Sequence, residues 1–254
     1  SIFAHREYDD FEIVLLDNGS RDPASLRVFG RWAESRSDRV KLVGYDAPLN
    51  FSAVNNHAVR YADGTYLLFL HNDTEVITPD WLTAMVEHAQ RPRTGAVGAK
   101  LLYDDGSVQH AGVVIGLGGV AGHSHKHYAG DAPGYFYTLQ SVNNYSAVTA
   151  ACLMVRRAVF DEVGGFDEKL AIAFNDVDFC LRLRAAGYYN VYLPHVELYH
   201  HESKSRGYED TPAKIERFLG EQVVMLERWR TDRDPDPHYS PNLTRVTEDY
   251  AIAP

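Results

Sequence analysis

The chain has 254 residues, 45% of them hydrophobic, and a formal net charge of −10, enough for one sizeable core or a large domain with an appendage. The acidic balance leaves no basic footprint for nucleic acid and sets up repulsion from anionic lipid. No apolar run approaches the roughly 20 residues of a membrane span, and two cysteines, Cys152 and Cys180, make no disulfide framework, so a reducing compartment is the default.

Ser1-Ile2-Phe3-Ala4 reads like the tail of a helix, and no initiator Met precedes it. The chain is therefore expected to be a piece of a longer one, with an earlier strand and most of one helix before it. Phe11 to Leu16 is a continuous apolar run of strand length, the pattern of a strand covered on both faces. It ends in Asp17-Asn18-Gly19-Ser20, and Ser20 or Asp22 can cap the helix expected over residues 24–35. Asp17 and Asn18 either make a plain strand-to-helix turn or face a ligand at the strand's carboxyl end. Val40 to Gly44 is a second strand. Asn50 or Ser52 can cap the next helix, whose free amides favour an anion. Asn55 and Asn56 lie one turn inside it, where Asn has poor helix propensity and points to a polar contact.

Thr65 to Leu70 is an apolar strand that stops abruptly at His71-Asn72-Asp73-Thr74-Glu75. Carboxylates at a strand end are either solvated turn residues or oxygen ligands for a hard divalent cation, which would in turn hold phosphate oxygens. Thr78 is expected to cap the following helix with Pro79 at its first position. Leu82, Met85, Val86 and Ala89 give that helix a core face. Gly95 to Ala99 is a further strand. The order β-α-β-α-β-α-β is that of an α/β sheet with crossover helices.

The pattern then changes. Asp105-Gly106 centres a hairpin-like turn. Gly112 to Gly122 reads as loop and short strand. His123, His125 and His127 alternate, which would place three imidazoles on one face of an extended segment, as a zinc site or as a polar loop. Ser146 to Val155 reads as a buried strand. Asn175-Asp176-Val177-Asp178 opens a helix stopped by Gly187, where acids in the first turn suit the helix dipole. Asn190 to Pro194 is a last strand running into Tyr199-His200-His201-Glu202-Ser203. Residues 212–229 read as a helix, and Asp232 to Pro241 as a Pro- and Asp-rich extended tail.

Several segments match one family together: LLDNGSRD (15–22), NFSAVNN (50–56), LLFLHNDTEV (67–76), AACLMVRR (150–157), VGGFDE (163–168), NDVDFCLRLRAAGY (175–188) and the Tyr199 to Ser203 stretch. In series they resemble the family 2 glycosyltransferases, in the branch that builds bacterial surface polysaccharides, with rhamnosyltransferase-like and O-antigen enzymes. The resemblance implies an α/β GT-A (Rossmann-like) fold: a mixed, mostly parallel sheet flanked by helices over residues 1–207, lacking the family's first strand, with a C-terminal helix and extended tail over 208–254. It implies that Asp17 contacts the nucleotide base, that Asn18 and Ser20 shape that turn, and that Asn55 lies near the nucleotide or diphosphate. His71-Asn72-Asp73 occupies the Asp-x-Asp position, where His71 departs from the pattern. His71 and Asn72 are assigned to the nucleotide, Asp73 to the metal, with Glu75 helping directly or through water. Asn175-Asp176 stands where the family has Glu-Asp, so Asp176 would be the base, with Asp178 supporting the acceptor side. His200 would be the late metal ligand, with His201 as the alternative.

The implied activity is inverting, metal-dependent transfer from a UDP- or dTDP-linked sugar to a glycan or lipid-linked glycan, with Mn²⁺ or Mg²⁺ as cofactor. The implied location is cytoplasmic or peripheral at the inner face of a membrane, with further glycosyltransferase domains in a longer chain and no nucleic-acid partner. Two other readings use the same residues: a module that binds nucleotide sugar or glycan without turnover, and a phosphohydrolase.

Overall fold

The computed structural model describes residues 1–4, 8–201 and 211–253. Strand β1 (Ile13–Asp17) leads through α1 (Pro23–Ser35) to β2 (Val40–Gly44), and α2 (Phe51–Val59) leads to β3 (Tyr66–Leu70). A short β4 (Thr74–Val76), α3 (Trp81–Ala89) and β5 (Thr94–Leu102) follow. Then come β6 (Val108–His110), β7 (Val113–Ile115), β8 (Ala121–His123), β9 (Asn143–Tyr145) and β10 (Cys152–Arg156). The chain closes with α4 (Arg157–Glu162), α5 (Asn175–Ala185), β11 (Tyr189–His200) and α6 (Pro212–Trp229).

Side-chain caps start the helices where short polar residues allow. Asp22 accepts from the amides of Ala24 and Ser25, and Asn50 from that of Ala53. Thr78 does not cap α3. Its hydroxyl donates to the His195 carbonyl and accepts from the Glu197 amide, so it ties the strand-end turn to β11 while α3 begins at Trp81.

The main sheet has the order β3-β10-β5-β11-β4, with β6 on β5 and β9 on β11. It is mixed, as expected, but most of its pairs are antiparallel. Parallel pairing is confined to β5–β11 and to the separate β1–β2 ribbon. The cause is β10, which arrives after a long excursion without a crossover helix and enters between β3 and β5 antiparallel to both. The expectation that β1 is covered on both faces also fails. It is half-buried along its whole length and, among the described residues, pairs only with β2.

Side chains alternate across the sheet. Leu153 and Val155 of β10 join one apolar cluster with Phe160, Phe179 and Leu183, while Cys152 and Met154 join a second with Trp81 and Met85. The sheet is thus covered by α4, α5 and α6 on one face and by α3 on the other. Two strands differ in extent from the sequence reading. Residues 146–151 lie outside the strands: the Ser146 carbonyl accepts from the Asn190 side chain and the Ala150 amide donates to the Asp176 carboxylate, with Ala147 keeping an isolated bridge to Val113. β11 is longer than expected. It changes neighbour along its length, from β9 at Asn190–Tyr192 to β4 at Leu198–His200, across a register shift between Leu193 and Glu197.

The C-terminal helix is bonded to this body. Asp178 of α5, with no exposed surface, accepts from Arg182 at 2.8 Å, from Arg228 at 2.7 Å and from the Trp229 indole at 2.9 Å. This corrects the reading of Asp178 as an acceptor-side residue, since its carboxylate is turned inward on Arg182 of its own helix and on Arg228 and Trp229 of α6. The tail is held as well: Asp236 accepts from the Ile115 amide, and the Tyr250 ring stacks on His125. The expected boundary near residue 207 lies outside the described residues. No helix among the described residues is long and apolar enough to cross a membrane.

Removing one partner of a buried ion pair strands the other charges. Asp178→Ala is therefore expected to lower unfolding free energy by about 3–5 kcal/mol. A urea titration followed by far-UV circular dichroism measures it.

Candidate metal and transfer site

The carboxyl end of β3 and the end of β11 meet at one point. There His71, Asp73 and His200 bring one ligand atom each to within 4.8 Å of one another. Register places them: β4 runs antiparallel to β11, with Thr74 opposite His200. The Asp73 carbonyl accepts from the His201 amide at 2.8 Å, which closes the turn onto the strand. His200 Nε2 stands 3.3 Å from His71 Nδ1 and 3.3 Å from Asp73 Oδ1. Successive residues of a strand face opposite ways, so His201 points elsewhere, to Glu75 at 3.5 Å and to Asp104. Of the two candidate histidines, only His200 reaches the triad. Glu75 is exposed and faces His201, outside the triad. Glu202 and Ser203 lie outside the described residues.

The tautomer of His200 follows from its neighbour. Gln109 Nε2 donates to the His200 carbonyl at 3.2 Å, so Gln109 Oε1 is the atom 2.6 Å from His200 Nδ1. That oxygen can only accept, so Nδ1 carries the proton and the Nε2 lone pair faces His71 and Asp73. Oriented imidazoles of this kind are what a metal ligand requires. Burial pushes the Asp73 carboxyl upward, but protonated His200, by hydrogen bond and charge, and protonated His71 outweigh it and hold the carboxyl below its ordinary range. In the neutral tautomer described above His200 offers no proton, and Asp73 Oδ1 is buried without a donor among the described residues. A buried, ionised oxygen facing two imidazole nitrogens is a donor set that fits a divalent cation.

Asp176, in the first turn of α5, is joined to this triad by two consecutive residues. The Ala150 amide donates to Asp176 Oδ2 at 3.0 Å, and the Ala151 carbonyl accepts from the His71 amide at 3.0 Å. A second path runs through Gln109 to His110, whose Nε2 accepts from the Thr149 amide at 3.4 Å, while the Thr149 hydroxyl bonds the Asp176 carboxyl. Hydrogen bonds of the Ala150-Ala151 stretch thus link the first turn of α5 to the end of β3. Asp176 keeps part of its surface open, yet the protein packed round its carboxyl raises it above the ordinary aspartate value. Bonds from Ala150, Thr149 and Val177 offset part of that rise. The push comes from burial and not from a second acid, since Asn175 stands beside it and donates to the Ile172 carbonyl at 2.8 Å.

The remaining expected residues are placed as follows. Asp17 Oδ1 accepts from the Ser20 amide at 2.9 Å, and Asn18 donates to the carbonyls of Tyr45 and Ala47, so these three build the turn after β1. Asn55 donates to the Phe51 carbonyl of its own helix at 2.8 Å, while Asn56 grips Phe166 and Glu168. Asn72 is exposed at the tip of the turn. The Phe51 ring meets His71 at 5.3 Å, which brings the N-terminus of α2 beside the triad.

The alternating histidines do not share a face. His125 and His127 have φ of 56° and 65°, which breaks the extended segment. His123 turns to His110 at 2.8 Å, His125 to Ser124 and Tyr135, and His127 stacks on Tyr103. Burial lowers His123 and His125 to about 4, so both are neutral at physiological pH. Gln109, Thr149 and the ligand position of His71 escaped the sequence reading. Gln109 and Thr149 carry no motif, and only the crossing of β11 and the approach of β10 give them a role.

Because Gln109 orients His200 from outside the ligand set, its loss is expected to weaken metal binding. Gln109→Leu should reduce Mn²⁺ affinity by about 10- to 100-fold in calorimetry.

Residues 1–164 match the family model for glycosyl transferase family 2. The chain is 51% identical over its whole length to the uncharacterised protein y4gI of Sinorhizobium fredii, of which it covers 28%. It is 40% identical over 99% of its length to the O-antigen biosynthesis protein RfbC of Myxococcus xanthus, of which it covers 19%. It thus spans under a third of these two relatives. Among solved structures it resembles GalNAc-T7 with UDP, GalNAc and Mn²⁺ (TM-score 0.66, 16% identity, covering 86% of this chain and 42% of that one). It also resembles the mannosyltransferase PcManGT of Pyrobaculum calidifontis with GDP-Man and Mn²⁺ (TM-score 0.62, 19% identity, covering 94% and 61%). These likenesses show the GT-A fold, and the family match, which spans well over half the sequence, shows that the chain belongs to glycosyl transferase family 2.

Proposed function

We propose that the chain is an inverting, metal-dependent glycosyltransferase domain that moves a sugar from a nucleoside-diphosphate sugar to a hydroxyl of a glycan acceptor in bacterial surface-polysaccharide synthesis. The observation that carries this reading is the joining of the Asp176 carboxylate to the His71–Asp73–His200 triad through Ala150 and Ala151. The relationship to RfbC supports the polysaccharide context. A UDP- or dTDP-linked donor and a glycan or lipid-linked acceptor fit the same context. A further relative at 29% identity is an N-acetylglucosaminyl-diphospho-decaprenol L-rhamnosyltransferase of Mycobacterium tuberculosis.

His71, Asp73 and His200 would hold the cation, which when bound neutralises charge growing on a diphosphate leaving group. Asp176 takes the proton from the acceptor hydroxyl as that oxygen attacks the anomeric carbon, and attack from the face opposite the leaving group inverts the configuration. Its raised pKa suits this task, because a stronger base takes a proton more readily. Asp17, Asn18 and Ser20, after β1, frame the nucleotide base, and Asn55, His71 and Asn72 line the path toward the diphosphate.

Release of nucleoside diphosphate from a panel of UDP- and dTDP-sugars, with Mn²⁺ and glycan acceptors, tests the reading. Asp176→Asn should keep nucleotide binding while turnover falls at least about a hundredfold. Binding without turnover by the wild-type chain on any acceptor would favour the non-catalytic module instead. The base must be ionised to act, so kcat/KM should rise with pH through a value above the ordinary aspartate 3.8. That limb should disappear in Asp176→Asn.

The donor set also bears on the ion. Two imidazoles and one carboxylate suit transition metals better than Mg²⁺, which prefers oxygen. Calorimetry without donor should give tighter binding of Mn²⁺ or Co²⁺ than of Mg²⁺, and His71→Asp should narrow that gap. Equal affinities in the wild-type protein would remove His71 from the ligand set.

A further inference from the structure

The segment that presents Asp176 is an irregular turn, residues 170–174, and it ends on a bulky side chain in the left-handed region. Phe174 has φ 59° and ψ 7° and immediately precedes α5. Such a conformation persists in a non-glycine residue only where its surroundings over-determine it. The turn is tied to α2 by the Phe51 amide on the Ala171 carbonyl and the Ser52 hydroxyl on the Leu170 carbonyl, each at 2.6 Å.

The charged tie comes from the C-terminal helix. Glu221 of α6, 3% exposed, accepts from the Ile172 amide at 2.9 Å through one oxygen and from the Ala173 amide at 3.0 Å through the other. Consecutive amides that converge on both oxygens of one carboxylate define its position and theirs, and charge-assisted bonds of this kind are stronger than neutral ones. One turn earlier on α6, Phe218 packs on Phe174 with ring centroids 5.4 Å apart. Two turns later, Arg228 and Trp229 hold Asp178. The helix therefore grips the peptide chain on both sides of Asp176 without touching its carboxyl.

We propose that Glu221 is a positioning residue for transfer: α6 sets the aim of Asp176 through the Ile172 and Ala173 amides, so that the C-terminal helix is a working part of the site. The proposal rests on the reading of Asp176 as the base. A small misplacement of a reacting group can cost about a hundredfold in rate, and the turn has no regular secondary structure of its own to prevent one.

A double-mutant cycle on the full chain tests it, with Mn²⁺ and whichever nucleotide sugar of the panel turns over. Glu221→Gln leaves one acceptor oxygen and sets an NH₂ group against the other amide. It should lower kcat by about tenfold or more while KM for the nucleotide sugar and the affinity for Mn²⁺ stay within twofold. Placed on Asp176→Asn, it should cost nothing further, because its effect passes through a carboxylate already lost. Hydrogen exchange, which needs no substrate, should quicken in residues 170–178. Glu221→Asp, which keeps the charge but withdraws it by one methylene, should show the same pattern and serves if the Gln variant does not fold.

A Glu221 variant with wild-type kcat would overturn the proposal even if its melting temperature fell. The same fractional loss in the Asp176→Asn background, or unchanged exchange in residues 170–178, would overturn it too. Full activity in Asp176→Asn alone is a separate result, which removes Asp176 as base before Glu221 is considered.

Discussion

One buried oxygen organises the site. Asp73 Oδ1 is withdrawn from solvent and faces two imidazole nitrogens. An ionised oxygen in that position is costly unless a positive charge meets it. Among the described residues no arginine or lysine pairs with that oxygen. Two histidines face it instead, one of which is locked by Gln109 with its lone pair inward. The turn after β3 is fastened to β11 by the hydrogen bond from the His201 amide to the Asp73 carbonyl, which holds the three side chains together.

The antiparallel pairing of β10 with β3 continues into the bond from the His71 amide to the Ala151 carbonyl, while the Ala150 amide meets Asp176 of α5. Residues 146–151 lie outside the strands, where the Ala150 amide binds the Asp176 carboxylate of α5 and the Ser146 hydroxyl that of Asp236 in the tail. A small, buried Ala150-Ala151 pair lets the base approach the end of β3 closely.

Two departures from the family pattern look compensated by different means. His71 replaces an acid yet still offers a ligand atom, at the cost of changing the chemistry of the set from oxygen toward nitrogen. Asn175 replaces an acid beside Asp176 and serves instead as a brace on the turn, donating to Ile172. The rise in the Asp176 pKa then comes from burial, which needs no neighbouring charge. The rigid support lost from ordinary secondary structure in residues 170–174 is returned by α2 on one side and α6 on the other.

The sequence by itself determined the alternation of strands and helices up to β5, narrowed the caps of α1 and α2 to two residues each, and marked the acids at the end of β3. These are local: a period, a cap and a motif need only a few neighbouring residues. Tertiary structure alone decided the rest. The direction of β10 depends on which strands it lies between, which no local pattern encodes. The choice of His200 over His201 depends on the register of β11 against β4, since a slip of one residue reverses every side chain. Asp178, with two acids' spacing from Asp176 in one helical turn, looks like a site residue in sequence; only the arrival of Arg228 and Trp229 from α6, some fifty residues on, turns it into a buried anchor.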